Sequence, residues 1–171
     1  MSLIDKTNSY DIVYNWFDHL KSKGHFINGY VIMPNHIHAI ISFTNTMQSI
    51  NTIVGNGKRF MAYEIVKRLQ QNKEEVILKQ LQDGVEALRK LRDKQHEVWK
   101  LSFDWKERKN SIFINQKLLY IHNNPCSKKW DLSINPVSYL HSSAKYYIAG
   151  EQGIYAVTNY MEMEDVNLSG Y

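Results

Sequence analysis

Two strand-like runs separated by a Pro-Asn pair are the strongest constraint on how this chain can fold. The run HFINGYVIM, residues 25–33, is rich in β-branched and aromatic residues, and HIHAIISF, residues 36–43, begins with strict alternation of polar and apolar residues. Pro34 lacks a backbone N–H and Asn35 favours a turn, so the strand pattern is interrupted between the runs. The two runs are therefore predicted to form an antiparallel hairpin.

The rest of the chain is mostly helical in pattern. Apolar residues recur at helical spacing from residue 10 to 22, and Pro125 ends the last helical pattern because proline disfavours helical geometry in the residue before it. Further helices are predicted over 53–70, 74–94 and 110–124, with a short strand over 97–103. This order predicts an α+β fold, in which helices cover at least one face of an antiparallel sheet.

Composition narrows the class of protein. A chain of 171 residues can form one domain with a sizeable core, which we place at residues 1–150 and follow with a C-terminal tail at 151–171. No apolar run reaches the roughly 18 residues of a membrane span, and the single cysteine, Cys126, rules out an internal disulfide framework. We therefore expect a cytoplasmic protein with no membrane partner. A net charge of +4 permits a polyanionic partner without requiring one.

His36 and His38 form a candidate metal site. Residues two apart in a strand point to the same face, so both imidazoles project together, while Ile37 points to the opposite side. Neutral imidazole is a common ligand of divalent metals. Packed or surface histidines with no ligand are the alternative that this pair alone leaves open.

Tyr120 and Asn124 form the second half of the candidate site. They are four residues apart in the predicted helix QKLLYIHNN, so they share one helix face. If that face lies opposite the two histidines, it adds a phenolic nucleophile and an amide ligand to the imidazoles. Such a set of groups is suited to phosphoryl transfer.

These segments resemble a known family. MPNHIHAI resembles the His-hydrophobe-His motif of the HUH single-tyrosine transposases and nucleases, and KLLYIHNNP resembles the tyrosine-helix motif of the REP-associated tyrosine transposases. SYLHSSAKYY is similar to the aromatic-x-x-Ser-Ser-Ala segment that follows in that group. The resemblance covers about residues 10–150 and has both motifs in the same order.

The resemblance implies a ferredoxin-like fold whose central strand carries the histidines. It implies His36, His38 and Asn124 as metal ligands and Tyr120 as the nucleophile. The implied reaction cleaves and rejoins single-stranded DNA near hairpins through a 5′-phosphotyrosine link, in a monomer or homodimer. Oxygen ligands from DNA favour Mg²⁺ or Mn²⁺ over zinc at such a site.

The sequence departs from the family pattern in two places. The family has a strand before its first helix, whereas this chain begins almost at that helix, so we expect one open sheet edge. Lys106 also stands where a histidine is frequent in the family. The missing strand is the main argument for an alternative, a hairpin-DNA-binding protein that has lost catalysis. An HUH replication initiator or relaxase, and a metallohydrolase that activates water at the histidines, are also compatible with these residues.

Contacts with DNA are predicted from basic and aromatic residues. The segment GNGKRFMAYEIVKRL places basic residues near a Gly-rich helix start, where backbone amides can bind phosphate; the alternative is a solvated basic helix face. Lys117 is a further candidate for phosphate contact, or else is simply solvated, and His122 is expected to be structural. The basic candidates in that segment are Lys58, Arg59, Lys67 and Arg68, and the candidates for base stacking are Trp99, Trp105 and Tyr139.

Overall fold

The fold is described from a computed structural model that covers residues 1–86, 95–100 and 111–163. These residues contain six α-helices and two β-strands. The helices are α1 (Leu3–Lys6), α2 (Tyr10–Ser22), α3 (Ile50–Gln71), α4 (Glu75–Asp83), α5 (Ser111–Asn123) and α6 (Ala144–Ala149). The strands are β1 (Phe26–Met33) and β2 (His36–Ser42).

The predicted hairpin is confirmed. β1 pairs antiparallel with β2, with Met33 opposite His36 and Val31 opposite His38. The register shifts at Asn28, which forms a bulge, and the buried Asn28 amide donates to the carbonyl of Thr158 while its oxygen accepts from the Ser42 hydroxyl. The bulge is therefore held by side-chain hydrogen bonds rather than left as an unsatisfied polar group.

The two faces of the hairpin contribute to different hydrophobic clusters. Ile37, Ala39 and Ile41 pack on the larger cluster, which is formed with α2, α3 and α4. Val31 and Met33 point the other way and pack with Leu118 and Ile121 of α5. The fold is therefore α+β with helices on both faces of the sheet, and α5 lies on the face that carries His36 and His38.

The outer edge of β1 is covered by a segment from the C-terminal part of the chain. The Ile32 N–H donates to the His141 carbonyl, Val31 bridges Ser142, and the Ser143 N–H donates to the Tyr30 carbonyl. This short segment satisfies backbone groups that an edge strand would otherwise expose. Within the described residues β2 has no strand partner on its other edge, so the expectation of one open sheet edge stays a prediction.

Residues 151–163, part of the expected C-terminal tail, pack on the domain. Val157 is buried in the larger cluster, and the Thr158 N–H donates to the carbonyl of Ile27. Tyr155 stacks on Tyr14 and donates its hydroxyl hydrogen to Asp18. This part of the tail region thus contributes to the core; residues 164–171 lie outside the described part of the chain.

Helix α2 matches its prediction from residue 10 to residue 22, and α5 ends one residue before Asn124-Pro125. Helix α3 begins earlier than predicted, at Ile50, where Ser49 caps it by accepting the N–H of Thr52. Lys58 and Arg59 therefore lie about two turns beyond the observed start of the helix, and the prediction that they lie near a helix start is wrong. Of the predicted strand at 97–103, residues 97–100 are not a strand and the remainder is outside the described residues.

No helix in the described ranges is long and apolar enough to cross a membrane.

Candidate functional site

A cleft of about 580 Å³ lies between β2, the end of α5 and the turn that follows it. It brings together His36, His38 and Tyr120 with Asn124, four residues that the sequence predicted to share a site. The lining residues are His36, His38, Leu119, Tyr120, Asn123, Asn124, Ser127, Lys129 and Trp130. Whatever binds here contacts groups from two segments that are far apart in the chain.

The histidine pair is held by the strand and by the turn before it. The two rings lie edge to face with their centroids 4.9 Å apart, which confirms that they share one face of β2. The Nδ1–H of His36 donates to Oδ1 of Asn35 at 2.5 Å, since that oxygen can only accept. Nε2 of His36 therefore keeps its lone pair and faces Asn124.

Tyr120 is positioned by the buried residues on either side of it in α5. Leu118 and Ile121 pack into the smaller cluster, so Tyr120 projects over the cleft with its ring centroid 6.0 Å from that of His38. It is 60% exposed, which leaves its hydroxyl accessible to a substrate. Leu119 is also exposed and lines the cleft.

Asn124 begins the 3-10 turn Asn124–Cys126, in which Pro125 is buried. Its Nδ2 donates to Nε2 of His36 at 3.3 Å, although the two residues are 88 apart in sequence. Rotation of the side-chain amide by half a turn would present Oδ1 to the same position. A cation bound to Nε2 of His36 would therefore have the Asn124 amide beside it.

The donor set fits a divalent cation with open coordination positions. In the described part of the chain, no three or more His, Cys, Asp or Glu side chains form a candidate metal cluster. Among the oxygen donors that line the cleft, the side chain of Asn124 is the one hydrogen-bonded to His36 within the described residues, so it is the candidate third ligand of a cation at the histidine pair. Two imidazole nitrogens and one amide oxygen carry no charge, so an anionic substrate would supply the remaining ligands.

Both histidines are kept neutral by their surroundings. The pKa of His36 is lowered to about 4, mainly by burial and in addition by the nearby His38 and Lys129. Burial also lowers the pKa of His38, and Lys117 acts in the same direction. Near neutral pH both rings therefore present lone pairs, which is the form that binds metals.

The cleft is positively charged. Lys117 lies beside Tyr120, with Nζ 5.6 Å from the ring centre, and Lys129 lies at the other end, near Trp130. None of the nine lining residues is acidic, and no ion pair to either lysine is found within the described ranges. An anion in the cleft would therefore meet the positive charge of Lys129 in its lining and of Lys117 beside it.

The other predicted DNA contacts are not part of this cleft. Lys58 and Arg59 are on α3, which packs on the opposite face of the sheet. Lys58 donates to the carbonyl of Lys100, and Arg59 to the side-chain oxygen of Asn56. Arg68 is engaged by Asp11 at 2.6 and 2.9 Å, so its guanidinium has a structural role.

The remaining aromatic and histidine candidates also have structural contacts. Trp99 packs on the larger cluster and donates its indole N–H to the Lys58 carbonyl, and Tyr139 donates its hydroxyl hydrogen to the Ile32 carbonyl. His122 is buried beside the Ser143 hydroxyl at 2.8 Å, as expected for a structural residue. Burial lowers its pKa to about 4. Trp105 and Lys106 lie outside the described residues.

Sequence reasoning missed the residues that follow Pro125. Ser127, Lys129 and Trp130 all line the cleft, and the Trp130 ring centroid is 5.6 Å from that of His36. The signal was a basic-aromatic cluster, SKKW, directly after the end of the tyrosine helix. Its importance was not visible because nothing in the local pattern shows that the turn folds back toward β2.

Comparison with protein-family models, curated proteins and solved structures gave no match to this chain.

Proposed function

We propose that this chain is a metal-dependent single-tyrosine DNA transposase or nuclease of the HUH type, with a ferredoxin-like fold related to the REP-associated tyrosine transposases. Its proposed activity is cleavage and rejoining of single-stranded DNA near hairpins, through a covalent 5′-phosphotyrosine intermediate. The single observation that carries the proposal is the placement of Tyr120 and Asn124 against the histidine pair of β2.

The placement is informative because the two halves are brought together only by tertiary packing. The strand period accounts for the shared face of His36 and His38, and the helix period for the shared face of Tyr120 and Asn124. Neither period requires the two faces to meet. Their meeting in one cleft supports a site that needs a nucleophile and a cation together.

Tyr120 acts as the nucleophile in the proposed reaction. Its hydroxyl oxygen attacks the scissile phosphorus, and the bond from phosphorus to O3′ breaks with its electron pair left on O3′, which takes up a proton. The phenolic proton leaves to solvent, for which the exposure of Tyr120 provides a path. The product is a 5′-phosphotyrosine link and a free 3′-hydroxyl, and attack by a 3′-hydroxyl reverses the step.

His36, His38 and Asn124 would hold the divalent cation, Mg²⁺ or Mn²⁺. When bound, the cation supplies charge stabilisation at the phosphate oxygens. Lys117 and Lys129 add positive charge on either side of the histidines, which favours a phosphodiester in the cleft. None of the described residues that line the cleft is a carboxylate, so those residues offer no acidic ligand and no carboxylate general base to a water-activating hydrolase.

The test is a search for a covalent adduct. The protein is incubated with Mn²⁺ and a pool of DNA hairpins that carry randomised single-stranded flanks, labelled at either the 5′ or the 3′ end. We expect a denaturation-resistant adduct that retains the 3′ label and releases the 5′ label. The adduct should be absent in Tyr120→Phe, which removes only the hydroxyl.

Tyr63→Phe is the matched control, because Tyr63 is an exposed tyrosine on the opposite face of the sheet. It should form the adduct as the wild type does. His36→Ala and Asn124→Ala should lose the adduct while still binding the hairpins. Hairpin binding by the wild type without adduct or cleavage would reject the enzyme and leave the DNA-binding protein, whereas an undiminished adduct in Tyr120→Phe would reject the assigned nucleophile.

A further inference from the structure

Trp130 forms the end of the cleft away from Tyr120. It follows the turn after α5, where its backbone N–H donates to the Ser127 carbonyl at 2.9 Å. Part of its ring packs on the smaller hydrophobic cluster, and the half-buried side chain also lines the cleft. The indole is thus anchored on one side and accessible from the cleft.

Ring contacts place Tyr120 and Trp130 at opposite ends of the histidine pair. Tyr120 contacts His38 with centroids 6.0 Å apart, and Trp130 contacts His36 at 5.6 Å. The two histidines are separated by two positions of β2, roughly 6.6 Å along the strand at about 3.3 Å per residue. The nucleophile, the histidines and the indole therefore follow one another along the strand direction.

Phosphoryl transfer requires the attacking and leaving oxygens to lie roughly in line. If Tyr120 attacks a phosphate held at the histidines, the leaving O3′ lies on the far side of that phosphate, toward Trp130. We infer that Trp130 and Lys129 form a subsite for the nucleotide that carries this O3′, the one on the 5′ side of the scissile phosphate. The assignment of this nucleotide to the 5′ side of the scissile phosphate rests on the proposed function.

The chemistry of the two side chains suits an unpaired nucleotide. An indole stacks on any base, because each base has a π face, and such contacts tolerate different sequences. Lys129 has its Nζ 5.5 Å from the Trp130 ring centre, so it is within reach of the phosphate of a nucleotide whose base stacks on the indole. The subsite therefore selects single-stranded over paired DNA without reading sequence.

Binding is tested apart from catalysis, in the Tyr120→Phe background with EDTA and a short fluorescein-labelled oligo(dT). Trp130→Ala should weaken binding about 5- to 150-fold, the range of one lost stacking contact, and Trp130→Phe should retain most of it. Tyr63→Ala, which removes an exposed aromatic side chain on the opposite face, should leave binding unchanged. Equal affinity in Trp130→Ala and Tyr63→Ala would overturn the inference.

Lys129 is tested through the salt dependence of binding. Lys129→Gln should reduce the slope of log affinity against log salt by about 0.7, the value for one phosphate contact on a single strand. Lys128→Gln is the matched control, because Lys128 is exposed and adjacent but does not line the cleft. An equal reduction in both variants would show general charge attraction and overturn the role of Lys129.

The side of the scissile phosphate on which the bound nucleotide lies is tested in the protein that keeps Trp130, because the result then does not depend on whether a Trp130 variant folds. Two short oligonucleotides carry 5-iodouracil, one at a terminal 3′-hydroxyl nucleotide and one at a terminal 5′-phosphate nucleotide. Photocrosslinking to Trp130 is expected from the first, and crosslinking from only the second would overturn the assigned side. If the 3′-terminal oligonucleotide crosslinks to Trp130 but the covalent assay gives no Tyr120 adduct, the proposed reaction is rejected and the subsite is kept. If the Tyr120 adduct forms but Trp130 neither crosslinks nor affects binding, the subsite is rejected and the proposed reaction is kept.

Discussion

Gly57 lies inside α3, where replacement by alanine is expected to destabilise the protein although alanine is the better helix former. A Cβ at this position would lie 2.5 and 2.8 Å from two atoms of the Trp16 indole and closer still to a third, its Nε1. Trp16 is only 8% exposed, so its rigid ring has little room to move away. Helices α2 and α3 would have to separate to admit one methyl group.

The magnitude follows from two opposing terms. Alanine in a helix interior is more favourable than glycine by about 0.8–1 kcal/mol. Overpacking a core costs about 1–3 kcal/mol, and three contacts with a rigid ring place Gly57→Ala in the upper part of that range. The net loss in free energy of unfolding is therefore about 1–2 kcal/mol.

Gly55→Ala is a matched control in the same helix. A Cβ at Gly55 meets nothing within 4 Å, and the position is exposed, so the helix-propensity gain of about 0.8–1 kcal/mol is expected in full. The two variants should differ by about 2–3 kcal/mol. For a domain of this size that corresponds to about 4–12 °C in Tm.

Urea unfolding followed by circular dichroism measures both variants. Adding Trp16→Leu to Gly57→Ala should recover part of the loss, because the alanine then meets a smaller, flexible side chain, and the double-mutant cycle should show favourable coupling of about 1 kcal/mol or more. If Gly57→Ala stabilises the protein as much as Gly55→Ala does, α2 and α3 are not in close contact at Gly57 and the reasoning is refuted.

Three further predictions concern the site, a buried histidine and the arginine of α3. Gly29→Ala places a Cβ in steric overlap with the Leu118 side chain and should shift α5, so that the rate of Tyr120 adduct formation falls by about tenfold or more; an unchanged rate in the folded variant would contradict this. Burial lowers the pKa of His25, whose Nδ1 accepts the Thr44 N–H. As the pH falls, His25 therefore takes up a proton more readily in the unfolded state than in the folded state. The free energy of unfolding should consequently fall as the pH drops below about 6.5, the ordinary pKa of histidine. His25→Gln should reduce that slope in urea titrations at several pH values, and an identical slope would show that His25 does not contribute. Arg68→Ala should lower the free energy of unfolding by about 1–2 kcal/mol, since the guanidinium binds Asp11, and should leave the affinity for oligo(dT) unchanged. Weaker binding of oligo(dT) by this variant would show that Arg68 does contact DNA.

Much of the local structure could be predicted from the sequence. The five apolar residues that define the periodicity of α2 are all buried, because an amphipathic helix exposes its polar face wherever it packs. The hairpin and the end of α5 before Pro125 also follow from local rules on turns and proline. The start of α3 could not be placed, because glycines at 55 and 57 weaken a helical pattern whose packing against Trp16 is a tertiary contact.

The sequence by itself determined that His36 and His38 share one face of a strand, because side chains in a strand alternate with a period of two. Only the tertiary structure decided what that face meets. Asn124 reaches His36 across 88 residues, and Trp130 arrives through a turn with no local signature of its direction. The edge of β1 is likewise covered by residues 141–143 from far along the chain. The periodicity of a helix or strand determines which side chains share one face. Which element packs on that face depends on contacts between segments distant in sequence, and no local pattern predicts those contacts.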